Sequence, residues 1–87
     1  MTPGGGLIRT LLIEDSPDDA LLMQAELRDA TRASFEVEWV SRLSEGLERL
    51  VLGGIDVVLL DLSLPDSSGA ETCHRVHAEA SGVPIVV

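Results

Sequence analysis

The stretch Ile55–Gly69, IDVVLLDLSLPDSSG, limits the possible folds more than any other part of the chain. A run of branched apolar residues, Val57-Val58-Leu59-Leu60, stops abruptly at Asp61, and a loop rich in Pro, Ser and Gly follows. A short apolar run bounded by turn formers reads as a buried strand, so Asp61 is presented where that strand reaches the surface. This is the layout of a reactive carboxylate. The apolar run Leu11-Leu12-Ile13 ends the same way, in Glu14-Asp15.

A chain of 87 residues makes one domain at most. Its apolar content of 45%, with one Phe, one Trp and no Tyr, means that Leu, Val, Ile and Ala build the core, as in a parallel sheet flanked by helices. Fifteen acidic residues against six basic ones, all Arg, leave a net charge of -9. Nucleic acid and anionic membranes are therefore poor partners, and a cation or a basic protein surface fits better. The single Cys73 excludes an internal disulfide and reads as a small buried thiol, which suits a reducing cytoplasm. Residues 1–6 read as a flexible lead without signal-peptide character, and no apolar run approaches the ~18 residues of a membrane span.

In chain order, Leu7 to Ile13 reads as a strand. Ser16 is placed to cap a helix over Pro17 to Ala30, with Pro17 at its first position and Asp18-Asp19 in its first turn. Ala20, Leu21, Leu22, Met23 and Leu27 supply its apolar residues. Phe35 to Trp39 alternates apolar and acidic residues, the period of an edge strand wet on one face, and Trp39 is expected to pack into the core. Ser41 or Ser44 can cap a second helix from about Ser44 to Leu52, ended by Gly53-Gly54. The strand before Asp61 follows, then a helix from Gly69 to about Ala80, and Ile85-Val86-Val87 opens a fourth strand. His74 and His77 read as exposed helix positions, Asp56 as solvated, and Asp66 as a turn former. Strict alternation of strands and helices implies an α/β, doubly wound parallel sheet with helices on both faces.

In such sheets ligands bind beyond the carboxyl ends of the strands, where strand order reverses. An order beginning 2-1-3 makes the first and third strands neighbours, so Glu14, Asp15 and Asp61 converge. Three carboxylates in one place call for a cation, and Mg2+ suits a few carboxylates with carbonyl and water oxygens while leaving room for a phosphoryl oxygen. Asp61, alone at its strand end, is the candidate nucleophile for acyl-phosphate chemistry, and the adjacent Glu14 and Asp15 suit metal ligation.

Together, Glu14-Asp15, Asp61, Leu64-Pro65-Asp66, Gly69 and Val83-Pro84-Ile85-Val86-Val87 resemble the receiver domain of two-component response regulators over almost the whole chain. The resemblance implies a flavodoxin-like sheet of order 2-1-3-4, with residues 7–87 forming a partial receiver in which strand five is missing. It implies that Asp61 takes a phosphoryl group from a histidine kinase or phosphotransfer protein, that Asp15 and Asp61 ligate Mg2+ with Glu14 helping through water, and that the backbone carbonyl of Ser63 is a further ligand. The side chain at Ser63 would tune the lifetime of the phosphoryl group. Activity would be limited to the domain's own phosphorylation and dephosphorylation, in the cytoplasm, with an output domain C-terminal to this chain.

The receiver pattern also needs a Ser or Thr just past the fourth strand and a Lys at the end of a fifth. The chain stops at Val87 and has no Lys, so it reads as C-terminally truncated, with an open edge strand that favours pairing or swapping between copies. The alternative is a truncated or degenerate receiver serving as a protein-interaction element without efficient phosphotransfer. A dehalogenase-like phosphatase would want a second Asp where Ser63 stands.

Overall fold

The computed structural model describes residues 7–30, 34–61, 63–64 and 67–87. Its elements are β1 (Leu7–Ile13), α1 (Pro17–Ala30), β2 (Ser34–Val40), α2 (Leu43–Val51), β3 (Val57–Leu60), β4 (Ser63–Leu64), β5 (Ser67–Ser68), α3 (Gly69–Glu79) and β6 (Ile85–Val86). Four strands form a parallel sheet in the order β2-β1-β3-β6, the doubly wound arrangement expected from the sequence. Register aligns the strand ends. Ile13 lies opposite both Val40 and Leu60, so three strands end in step and the residues after β1 and β3 emerge side by side.

Alternation along the strands divides the sheet into two faces. Leu11, Ile13, Val58 and Leu60 pack with Leu43 and Leu50 of α2, Val76 of α3, Ile55 and Leu64 in the main core. On the opposite face Met23 of α1 lines a groove with Leu12 and Leu59, and Leu27 lines a neighbouring one with Met23 and Leu59. Of the residues assigned to the α1 stripe, Ala20 is buried and Met23 and Leu27 are partly buried, whereas Leu21 and Leu22 are exposed. The helical period explains the split, because one face carries positions three and four apart and their immediate neighbours turn outward.

Local chemistry sets the helix ends. Ser16 caps α1 as expected: its Oγ accepts from the Asp19 N–H at 3.3 Å, and its carbonyl accepts the Ala20 N–H. The start of α2 differs, since its cap is Arg42, in extended conformation and with no side-chain cap hydrogen bond. Ser41 instead places its hydroxyl 3.4 Å from Glu45 Oε1. Gly53 and Gly54 turn the chain after α2 with φ of 78° and 86°, values that a side chain would strain. Arg49 reinforces this turn, donating through Nη1 to the Gly53 carbonyl at 2.7 Å while Nε and Nη2 fork onto the Glu38 carboxylate of β2.

Several smaller expectations need correction. Glu38 is held by Arg49, and Glu36 lies 3.8 Å from Arg9, so the acidic face of β2 is paired as well as solvated. Asp56, exposed as expected, also ties β3 to β1: its Oδ2 accepts from the Arg9 N–H at 2.8 Å, and its own N–H donates to the Arg9 carbonyl. Cys73 is only partly buried. The loop after Asp61 contains a two-stranded antiparallel hairpin, β4-β5, that carries Leu64 into the core. The turn assignment at Pro65 and Asp66 lies outside the described residues.

Candidate functional site

Glu14, Asp15 and Asp61 meet at the carboxyl end of the sheet, each offering an oxygen within 4.8 Å of the others. Backbone hydrogen bonds at the strand ends produce this. The Glu14 N–H donates to the Val40 carbonyl and the Asp61 N–H to the Ile13 carbonyl, both at 3.0 Å, so Glu14 and Asp61 are each anchored by a neighbouring strand. Glu14 then bends back over the start of α1, and its Oε2 accepts the Ser16 N–H at 3.3 Å.

The three side chains differ in solvation: Glu14 is buried, Asp61 partly buried and Asp15 exposed. Burial is the main cause that raises the Glu14 carboxyl above its ordinary range, and the neighbouring Asp61 carboxylate raises it further, against the lowering effect of the Ser16 N–H. Negative charge is concentrated here, and a bound cation would relieve it.

The donor set fits a hard divalent ion. With metal–oxygen distances of about 2.1 Å, ligands of an octahedral Mg2+ lie about 3 to 4 Å apart, close to the spacing found here. Such an ion would be held by Glu14, Asp15 and Asp61. Among the described residues, no other group of His, Cys, Asp or Glu gathers this way. Ser63, named for its backbone carbonyl, opens β4 two residues past Asp61. His74 and His77 are both exposed on α3.

One contact at the site is invisible in residue type. The Trp39 indole Nε1 donates to the Glu14 carbonyl at 2.6 Å. The sequence predicts Trp39 in the core, yet it is 41% exposed, because it stands at the carboxyl end of the edge strand and leans toward the carboxylate loop. The available clue is positional: the lone Trp lies one residue before the end of a strand that neighbours Glu14.

Beside the carboxylates runs an apolar groove of about 390 Å3 lined by Leu12, Met23, Leu59 and Val86, with Glu14 and Asp61 at one end. None of the helices among the described residues is long and apolar enough to cross a membrane.

Residues 10–87 match the family model of the response regulator receiver domain. Curated relatives include the swarming motility regulation protein RssB of Serratia marcescens, 35% identical over 88% of this chain and 34% of its own length. The uncharacterized transcriptional regulatory protein YrkP of Bacillus subtilis is 37% identical over 90% of this chain and 32% of its own. The autoinducer 2 sensor kinase/phosphatase LuxQ of Vibrio cholerae is 32% identical over 92% of this chain but 9% of its own. The chain spans about a third of the first two. With the sheet order, the converging carboxylates and a match across residues 10–87, the chain belongs to the response regulator receiver domain family of two-component signalling.

Proposed function

We propose that residues 7–87 form the phosphoacceptor module of a two-component phosphorelay, in which Asp61 takes a phosphoryl group from a phosphohistidine of a histidine kinase or phosphotransfer protein. The observation that carries this reading is the convergence of Glu14, Asp15 and Asp61 within 4.8 Å where β1 and β3 end in step. A carboxylate at a strand end, fixed through its own N–H to the Ile13 carbonyl, is a positioned nucleophile. Its oxygen bonds to phosphorus as the phosphorus–nitrogen bond of the donor breaks, and the imidazole leaves with the electron pair. Later attack by water on the acyl phosphate restores Asp61.

Mg2+ supplies charge neutralisation for the incoming phosphoryl oxygens when bound. Glu14, Asp15 and Asp61 are its side-chain ligands in this reading, with the Ser63 carbonyl as a backbone ligand. Glu14, buried and bonded to the Ser16 N–H, also holds the β1–α1 corner in place. An output domain C-terminal to this chain and a cytoplasmic setting belong to the same proposal.

The test is transfer of phosphate from acetyl phosphate to the full-length protein in the presence of Mg2+. Wild type should gain a hydroxylamine-sensitive acyl phosphate, and Asp61→Asn should gain none. Equal labelling of the two proteins would assign the nucleophile elsewhere.

A further inference from the structure

We propose that Trp39 is a positioning residue for the cation site: its indole N–H, bonded to the Glu14 carbonyl at 2.6 Å, sets the peptide plane that aims Asp15. This rests on the reading of Glu14, Asp15 and Asp61 as metal ligands.

The last rung of the sheet closes without Trp39, through the Glu14 N–H to the Val40 carbonyl and the Asp61 N–H to the Ile13 carbonyl. Trp39 holds the peptide just past that rung. The peptide group is planar, so fixing the Glu14 carbonyl also fixes the direction of the Asp15 N–H and limits where the Asp15 side chain can start. Glu14 is buried and anchored by Ser16, whereas Asp15 is exposed and depends on its backbone for its aim.

Trp39 has both the reach and the donor this contact needs. Trp39 lies opposite Leu12, two residues before Glu14 in strand register, and its ring must extend along the strand to reach that carbonyl. Its indole is a donor without acceptor capacity, which matches a carbonyl partner, and Phe would fill the place without donating. At 41% exposure the ring contributes less packing than a core aromatic, so the bond is separable from the stability of the sheet.

The experiment is Mg2+ titration of the full-length protein, wild type and Trp39→Phe, by calorimetry, with melting temperatures recorded in EDTA. Loss of one positioning hydrogen bond should raise the Mg2+ dissociation constant about three- to tenfold. The metal-free melting temperature should change little. In wild type, the assigned Trp39 indole N–H resonance should move during the titration with the calorimetric midpoint. Wild-type affinity in Trp39→Phe, or an indole resonance that stays still through saturation, would overturn the proposal while leaving the metal site intact. A lowered melting temperature with unchanged affinity would make Trp39 a packing residue and also overturn it. If wild type itself binds no Mg2+, the reading of the carboxylates fails first and the role of Trp39 with it. Should Trp39→Phe not fold, the wild-type resonance decides alone.

Discussion

Glu14→Gln should stabilise the metal-free protein. The substitution keeps the shape of the side chain and an oxygen that can accept the Ser16 N–H, but it removes one negative charge from a cluster whose oxygens lie within 4.8 Å of one another. At that distance each pair of charges repels by about 0.9 kcal/mol in water and about 3.5 kcal/mol at an effective dielectric constant of 20. Glu14 is buried while Asp15 is exposed, so the two pairs sit between these limits. Solvent at the half-exposed end of the sheet screens both pairs toward the aqueous limit, which brings the expected gain to about 1–2 kcal/mol at neutral pH. For a domain of this size that corresponds to a melting temperature higher by about 4 to 15 °C.

The pH dependence follows from the raised Glu14 carboxyl. A carboxyl raised in the folded state favours folding fully below the unfolded carboxylate range, and this contribution is lost as pH rises through the folded value. The advantage of Glu14→Gln should therefore be present at neutral pH and vanish in acid. Saturating Mg2+ should shrink or reverse it, because the cation supplies the counter-charge that the wild type lacks. Circular-dichroism melts at neutral and acid pH, in EDTA and in Mg2+, give the four comparisons needed. An unchanged or lower melting temperature for Glu14→Gln in EDTA at neutral pH would refute the electrostatic reasoning. So would a gain that Mg2+ leaves untouched.

Thr10 is fully buried and its hydroxyl has no hydrogen-bond partner among the described residues, so Thr10→Val should be neutral or stabilising by about 1 kcal/mol in urea unfolding. A clear loss would mean that the hydroxyl is bonded in solution. Arg49→Lys loses the fork onto Glu38, and because both groups are partly exposed the cost should stay below about 1 kcal/mol in the same assay. Glu38 is held below its ordinary range by Arg49, so its contribution is lost as pH falls through that lowered value; Arg49→Ala should flatten the acid limb of the stability profile. Gly46→Ala would place a Cβ 2.5 Å from Ile13 Cδ1 in the core. Crowding there should outweigh the helix preference for Ala and destabilise by about 1 kcal/mol net, and Ile13→Val in that background should recover most of it.

Much of this arrangement is legible in the chain because its strands announce where they end. Leu11-Leu12-Ile13 stops at Glu14-Asp15 and Val57-Val58-Leu59-Leu60 at Asp61, and parallel topology with order 2-1-3 makes those ends neighbours. Contacts to backbone are illegible for a physical reason: every residue has a carbonyl, so the partner of the Trp39 indole leaves no mark in residue type. The β4-β5 hairpin escapes because two residues per strand are too few for a period to register. The Arg42 cap of α2 escapes because Ser41, the better capping residue, turns its hydroxyl to Glu45.

The groove beside the carboxylates gives the site a direction. Leu12, Leu59 and Val86 line that flank with hydrocarbon, which polarises poorly, while Asp15 stands exposed to water. Field lines from Glu14 and Asp61 are thereby crowded toward the aqueous side. A cation would therefore feel its strongest pull from the aqueous side, where Asp15 is exposed, rather than across the hydrocarbon of the groove.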